Sequence, residues 1–290
     1  MTKFVIGIGS QRAGSTLLYT ILDQCSPIYM NPVKELHYFD TLFGVRNPGV
    51  LHRFSTNQLN RDIDRIVKAK ELAFLNRRYK NSLRTNFILS TKKVQNIEYI
   101  DLFRPCVHSN KFLGEITPEY MILPKEGIQK MRETIGDDAK ILLLARNPVK
   151  RFVSAFKLLM HGRPDVDKSL FEEEMLNVLK NPGCEEWLKV QDSLNDYELA
   201  LSNYQREFKH VLMLSYDELF GSVEETAEEL SDFLELQLSL PNYKKIVGTK
   251  INALDETRDL SEETLSLLQA RYSENQIYLD KTFGQDFCIA

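Results

Sequence analysis

The residues best suited to chemistry open this chain. Gly9-Ser10-Gln11-Arg12-Ala13-Gly14-Ser15-Thr16 has the skeleton Gly-x4-Gly-x-Thr. It lies between an apolar run, Phe4 to Ile8, and a segment with helical spacing at Leu17, Leu18, Ile21 and Leu22. A glycine-bounded loop from buried strand to helix turns backbone N–H groups and the positive helix end toward one point, which suits a phosphate-like anion. Nucleoside-triphosphate loops of this skeleton carry a lysine where this chain has Ser15, so ATP hydrolysis lacks its main cation. Arg12 puts a guanidinium inside the loop instead, with a planar fork suited to phosphate or sulfate oxygens.

A second candidate is Arg146-Asn147-Pro148-Val149-Lys150-Arg151-Phe152-Val153-Ser154, directly after another apolar run. Groups just past the carboxyl ends of strands in an α/β sheet face one crevice. Arg146 and Ser154 are therefore expected on the same rim as the first loop. Two separate anion sites fit a ligand with two separated phosphates better than a linear triphosphate.

The elements that must position these groups follow from periodicity. Phe4 to Ile8, Lys140 to Ala145 and His210 to Ser215 are continuous apolar runs, the pattern of parallel strands buried on both faces. Helical patterns cover Ser15 to Cys25, Asn57 to Ala73, Ile97 to Phe103, Lys125 to Ile135, Val149 to Leu159, most of Phe171 to Phe208, Val223 to Leu234 and Ser261 to Ser273. Strands alternating with helices predict an α/β fold on a parallel sheet. No repeat, low-complexity tract or linker interrupts the chain, so residues 1–290 are expected to form one domain.

Composition narrows the classes. The 290 residues carry a net charge of −4 and are 43% hydrophobic, an ordinary globular balance with no global pull toward nucleic acid. Cys25, Cys106, Cys184 and Cys288 are far apart and form no Cys-x-x-Cys pair, which predicts reduced thiols and neither a disulfide scaffold nor a zinc site. No apolar run approaches the roughly 20 residues a membrane span needs. The N-terminus has no signal-peptide core, and a cytoplasmic location is the expectation.

Taken together, these motifs resemble the sulfotransferases that use 3′-phosphoadenosine 5′-phosphosulfate (PAPS). Gln11 to Thr16 is similar to the family's 5′-phosphosulfate loop, and Arg146 to Ser154 to its 3′-phosphate motif. Lys34-Glu35-Leu36-His37-Tyr38-Phe39-Asp40 resembles the Glu-x-His-Phe-Phe-Asp stretch of the heparan-sulfate and related carbohydrate sulfotransferases. Gly114-Glu115-Ile116-Thr117-Pro118-Glu119-Tyr120 resembles their Gly-Glu-Lys-(Ser/Thr)-Pro-x-Tyr segment, and the resemblance runs from Phe4 to about Phe287.

The resemblance implies a three-layer parallel α/β sheet with a phosphate-binding-loop architecture. It implies that Gln11, Arg12, Ala13, Gly14, Ser15 and Thr16 hold the 5′-phosphosulfate, that Arg146 and Ser154 hold the 3′-phosphate, and that Glu35 is the general base. Arg12 would stabilise charge at the leaving oxygen. The product would be adenosine 3′,5′-bisphosphate (PAP), the acceptor a glycan or a small natural-product alcohol, and no metal is required. His37 either orients the acceptor and the sulfuryl group or packs structurally, and Asp40 either touches the acceptor or caps the next segment. Arg77 to Arg84, with Lys92-Lys93, is either a polyanion-binding stretch or a solvated helix face. Trp187 either stacks on a sugar or packs, and His161 to Pro164 would begin a lid.

Three departures stand out. Arg12 replaces a lysine common in the family's loop, Ile116 replaces the lysine of the Gly-Glu-Lys segment, and Ser15-Thr16 stands where 3-O-sulfotransferases have Thr-Arg. The rival functions are a nucleotide or small-molecule kinase on the same scaffold, which the missing lysine disfavours, and a non-catalytic PAP-binding protein, which Ile116 favours.

Overall fold

Five parallel strands, β1 (Lys3–Gly9), β2 (Tyr29–Met30), β3 (Phe112–Ile116), β4 (Lys140–Ala145) and β5 (His210–Ser215), pair in the order β2-β3-β1-β4-β5. The computed structural model describes residues 3–70, 76–104, 106–107, 110–162, 167–248, 260–285 and 287–288. In chain order the helices begin with α1 (Ser15–Cys25), α2 (Tyr38–Leu42), α3 (Pro48–Lys68), α4 (Arg77–Thr91) and α5 (Lys125–Ile135). Next come α6 (Pro148–His161), α7 (Phe171–Lys180), α8 (Glu185–Ser193), α9 (Tyr197–Glu207) and α10 (Tyr216–Gly221). The last are α11 (Val223–Leu234), α12 (Leu240–Val247), α13 (Glu262–Arg271) and α14 (Ser273–Phe283).

Alternation along the strands builds two cores. Phe4, Ile6, Ile8, Ile141 and Leu143 pack with residues of α4, α5 and α9 on one face. Val5, Leu142, Leu144 and Leu214 pack with α1, α11 and α12 on the other, and full burial of one such side chain is worth roughly 1.5–3 kcal/mol. The connection that moves toward the β2 edge lays α1 on one face, and those that move back toward β5 lay α4, α5 and α9 on the other, as a single crossover hand requires. The result is three layers, helix, sheet and helix. A third cluster beside them joins α6, α7, α8 and α13 around Phe152, Phe156 and Tyr272. Trp187 packs edge-on against Phe152 and Phe156 in that cluster.

The three expected strands, the helix after the first loop, those at Lys125–Ile135, Val149 to Leu159 and Val223–Leu234, and the largely helical stretch Phe171 to Phe208 match the structure. Elsewhere it differs for identifiable reasons. The helix expected from Asn57 begins at Pro48, because Asn47 accepts from the Gly49 N–H and proline fits the first turn; its expected end at 71–73 lies outside the described residues. Ile97 to Phe103 holds a 3-10 turn at Tyr99–Leu102, too short for an α-helix. The helix expected at Ser261 to Ser273 is α13, and a second helix not read from that pattern, α14, follows from Ser273. The strands β2 and β3 have no counterpart in the sequence reading, and of α4 only Arg77 to Arg84 was read, in one of two alternatives, as a helix face.

The basic stretch 77–84 belongs to α4. Arg78 binds Asp23, the Met30 carbonyl and the Tyr19 hydroxyl, and Arg84 binds the carbonyls of Asp101 and Arg104. These two cations tie α4 to the body of the fold. The acidic helix α11 turns Glu224, Glu225, Glu228 and Glu229 to solvent. All four cysteines are free. Among the described residues no helix is long and apolar enough to cross a membrane. Of the expected lid, residues 163–164 lie outside the described residues.

Candidate active site

Every strand carries its chain to the same rim, so the segments after β1, β2, β3 and β4 meet there. The loop after β1 is shaped by a turn in which the Ala13 N–H donates to the Ser10 carbonyl at 3.3 Å. Ser10 donates to the Leu194 carbonyl at 2.6 Å, and the Ala13 methyl is buried in the core. These two residues shape the loop and present little of themselves outward. Gly14 precedes α1 at φ 90°, and a Cβ there would lie 3.0 Å from the Tyr216 ring, so only glycine fits without strain. No side chain caps α1. Its first N–H groups, which have no partner within the helix, are free to meet an anion at the positive helix end.

The two expected anion sites are joined directly. Arg12 Nε donates to Ser154 Oγ at 3.0 Å, and Arg146 Nη1 donates to the Arg12 carbonyl at 2.7 Å. Arg146 also lies over the Tyr216 ring, 4.4 Å from its centroid. Burial, and then the neighbouring Arg146 charge, push the Arg12 guanidinium below its ordinary value. Two cations held this close without a carboxylate between them create a positive field that an anion would relieve. Among the described residues the buried Arg146 Nε has no hydrogen-bond partner.

Below the loop lies a residue the sequence did not single out. Arg151 is fully buried, and no carboxylate accepts from it. Its guanidinium donates to Asn195 Oδ1, to the Gln191 carbonyl and side chain, and to the Gln11 carbonyl. It braces the floor of the loop through neutral acceptors.

On the opposite wall, Lys34 to Tyr38 runs along the end of β3. The Leu36 N–H donates to Glu115 Oε2, the His37 N–H to Thr117 Oγ1, and the Tyr38 N–H to Tyr120 Oη. Glu115 is fully buried and also accepts from Tyr99, Thr117 and Tyr120 hydroxyls. Burial pushes the Glu115 carboxyl up and those hydrogen bonds restrain it, leaving it at about 7. Glu115 is thus the platform on which the Glu35 segment rests. Tyr120 is core. Ile116, 1% exposed, packs against Gly7 in the core, so a side chain at that position does not line the cleft.

Glu35 itself reaches the cleft, while His37 sits behind it and is buried. His37 Nε2 lies 3.4 Å from Glu35 Oε2, and Nδ1 lies 2.6 Å from Asp40 Oδ2 and 3.8 Å from Glu119 Oε2. Asp40, with no exposure, is the partner of His37 and is out of reach of an acceptor. Burial opposes the His37 charge, but the hydrogen bonds to Asp40 and Glu35 prevail and raise its value to about 9. Burial likewise opposes the Glu35 charge, and the hydrogen bond to His37 with the Lys34 charge brings it down to about 2. Glu119, pushed up by burial, accepts from Gln11 Nε2 at 3.2 Å and so links this cluster to the anion loop. Arg12 and His37 hold φ of 68° and 49°, left-handed conformations that concentrate at functional sites.

The His37 charge has a consequence for stability. A group whose value rises from 6.5 to about 9 on folding stabilises fully below pH 6.5 and loses that contribution as pH climbs through 9. The shift corresponds to roughly 3 kcal/mol for the cluster counted once. Urea unfolding of wild type against His37→Asn at pH 6, 8 and 10 is expected to show a difference that shrinks with pH. A pH-independent difference would contradict a buried imidazolium.

One open cleft, of about 190 Å³, is lined by Gln11, Arg12, Gly14, Ser15, Thr16, Lys34, Glu35, Arg146, Tyr216 and Phe220, among others. Ser154 joins it only through Arg12. The sequence profile described as the Sulfotransferase family matches residues 5–239. The chain belongs to the sulfotransferase family. A sulfotransferase structure from Alicyclobacillus acidocaldarius aligns with a TM-score of 0.54 at 18% identity, over 97% of this chain and 95% of that one. The sulfotransferase domain of the Synechococcus PCC 7002 olefin synthase aligns with a TM-score of 0.46 at 17% identity, over 93% and 94%. No curated protein sequence matches. The first of these structures bears out the expected sulfotransferase architecture on a parallel α/β sheet.

Proposed function

We propose that this sulfotransferase moves the sulfuryl group of PAPS to a hydroxyl of a glycan or small natural-product alcohol and releases PAP. The observation that carries this is that one cleft is lined at once by the Gln11–Thr16 loop, Arg146 and Glu35. The α1 amides and Arg12 take the 5′-phosphosulfate, while Arg146 and Ser154 take the 3′-phosphate. Leu158 and Phe220 supply apolar walls to the same cleft, suited to the adenine between the phosphates. Glu35 accepts the acceptor's proton, and His37 positions Glu35 from behind. Sulfuryl transfer spreads charge over oxygens already bound, so positioning and fixed charge are the main aids, as in phosphoryl transfer.

The test is transfer from ³⁵S-labelled PAPS across a panel of alcohols and sugars, with PAP followed as the second product. Labelled ester with stoichiometric PAP is expected. Binding of PAP without transfer to any acceptor would favour a nucleotide-binding protein instead, and stabilisation by ATP in preference to PAP would favour a kinase.

A further inference from the structure

Sulfuryl transfer needs positive charge beside the leaving oxygen, and Arg12 is the one cation that the Gly9–Thr16 loop itself supplies. Ser15 stands at the lysine position of triphosphate loops, and Ile116 is turned into the core. Arg12 Nε is directed to Ser154, on the 3′-phosphate side. Lys34 comes from a different segment and reaches the loop. Its Nζ lies 3.5 Å from Ser15 Oγ and 2.6 Å from Glu35 Oε1. Its carbonyl accepts from the Ile116 N–H at 3.3 Å, so its backbone is anchored to β3, and the side chain is 24% exposed.

An ordinary surface pair of adjacent residues would involve nothing beyond itself. Here the ammonium has the anion loop on one side and the base on the other. We propose that Lys34 is a further catalytic residue: it is paired with Glu35 until PAPS binds, then moves its charge onto the phosphosulfate. This rests on the sulfuryl-transfer function proposed above.

In the free protein the ammonium neutralises Glu35 and weakens it as a base. An anion arriving at the start of α1 competes for the same ammonium, which leaves Glu35 freer to accept a proton. In the transfer step the acceptor oxygen forms its bond to sulfur while the bond from sulfur to the bridging oxygen of the 5′-phosphate breaks. The electron pair of that bond stays on the PAP phosphate, and the acceptor proton goes to Glu35. Charge grows on the bridging oxygen, and Lys34 is placed to meet it. A compact ammonium suits this exchange between two anions better than a rigid fork.

The experiment compares wild type, Lys34→Met and Lys34→Arg in PAPS transfer, with PAP affinity measured by calorimetry and folding by thermal midpoint. Loss of one preorganised charge predicts a fall in kcat of about 10²–10³-fold for Lys34→Met. Its PAP affinity should change by less than about tenfold, because the grip at Arg146 and Ser154 remains. Lys34→Arg should recover part of kcat, which keeps the test valid if the methionine variant folds poorly. A Lys34→Met enzyme within about threefold of wild-type kcat would overturn the proposal and leave sulfuryl transfer standing. A wild type that transfers nothing from PAPS would overturn both, and so is a distinguishable result.

Discussion

Replacing Glu35 by glutamine is expected to lower turnover by about 10²–10⁴-fold, the usual worth of a general base, while PAP continues to bind. Glutamine keeps the shape and can still accept a hydrogen bond from Lys34 or His37, but it cannot take a proton. Glu35 belongs to the cleft wall opposite the two anion sites, so its loss removes no phosphate contact and takes one negative charge away from an anionic ligand. PAP affinity should therefore be equal to or tighter than wild type. Single-turnover transfer from labelled PAPS, with calorimetric titration of PAP, checks both halves. Near-normal turnover would remove Glu35 from the chemistry and leave Glu119 as the carboxylate to examine next.

Arg146→Ala is expected to act in the opposite way, raising the KM for PAPS and the Kd for PAP by about 10²-fold or more. Turnover at saturation should change less than tenfold, an expectation that follows because uniform binding alters KM and not kcat. Two features make the effect large. The Arg146 side chain lines the cleft beside the Gln11–Thr16 loop. The same side chain also holds the Arg12 carbonyl and lies over Tyr216, so its loss loosens the loop from behind. Arg146→Lys should restore little, because an ammonium can neither bridge with a fork nor stack as a plane. Initial rates against PAPS concentration at fixed acceptor measure the split. A collapse of kcat with unchanged KM would place this guanidinium at the sulfuryl end instead.

Particular elements show what could be read in advance. The strands β1, β4 and β5 were legible because continuous apolar runs of strand length leave one consistent interpretation, although β5, at the sheet edge, is half-buried over most of its length and not enclosed on both faces. The strand β3 was not, because it carries Gly114 and Glu115. That glutamate is tolerable only when hydroxyls of Tyr99, Thr117 and Tyr120 come to meet it, and partners so far apart in the chain leave no local signal. The strand β2 has two residues, fewer than any periodic pattern can reveal. The helix α4 is rich in polar groups that turned out to be spent on neighbouring segments.

The site divides in the same way. The anion loop and Arg146 could be found from residue type and spacing, since each motif places its chemistry beside a strand end, whereas Glu35 was singled out only by the resemblance of its segment to the carbohydrate sulfotransferases. Arg151 lay inside the second motif with no role assigned to it, yet its side chain is enclosed by Gln191 and Asn195. Lys34 was visible only as a neighbour of Glu35, and its approach to Ser15 depends on how β2 and α1 are brought together. Glu119 occupies a variable position of its motif, and only the fold sets it between Gln11 and His37. His37 was an even choice between two roles in the sequence; its burial behind Glu35 now favours positioning.

The central claim is that the anion sites at Gly14–Thr16 and at Arg146–Ser154 grip the two ends of one nucleotide. A crystal structure with PAP measures this most directly. The account predicts the 5′-phosphate at the α1 amides with an oxygen open toward Lys34 and Glu35, and the 3′-phosphate within hydrogen-bond distance of Arg146 and Ser154. A nucleotide bound elsewhere, or one with the Arg12 and Arg146 guanidinium groups turned away from its phosphates, would contradict it.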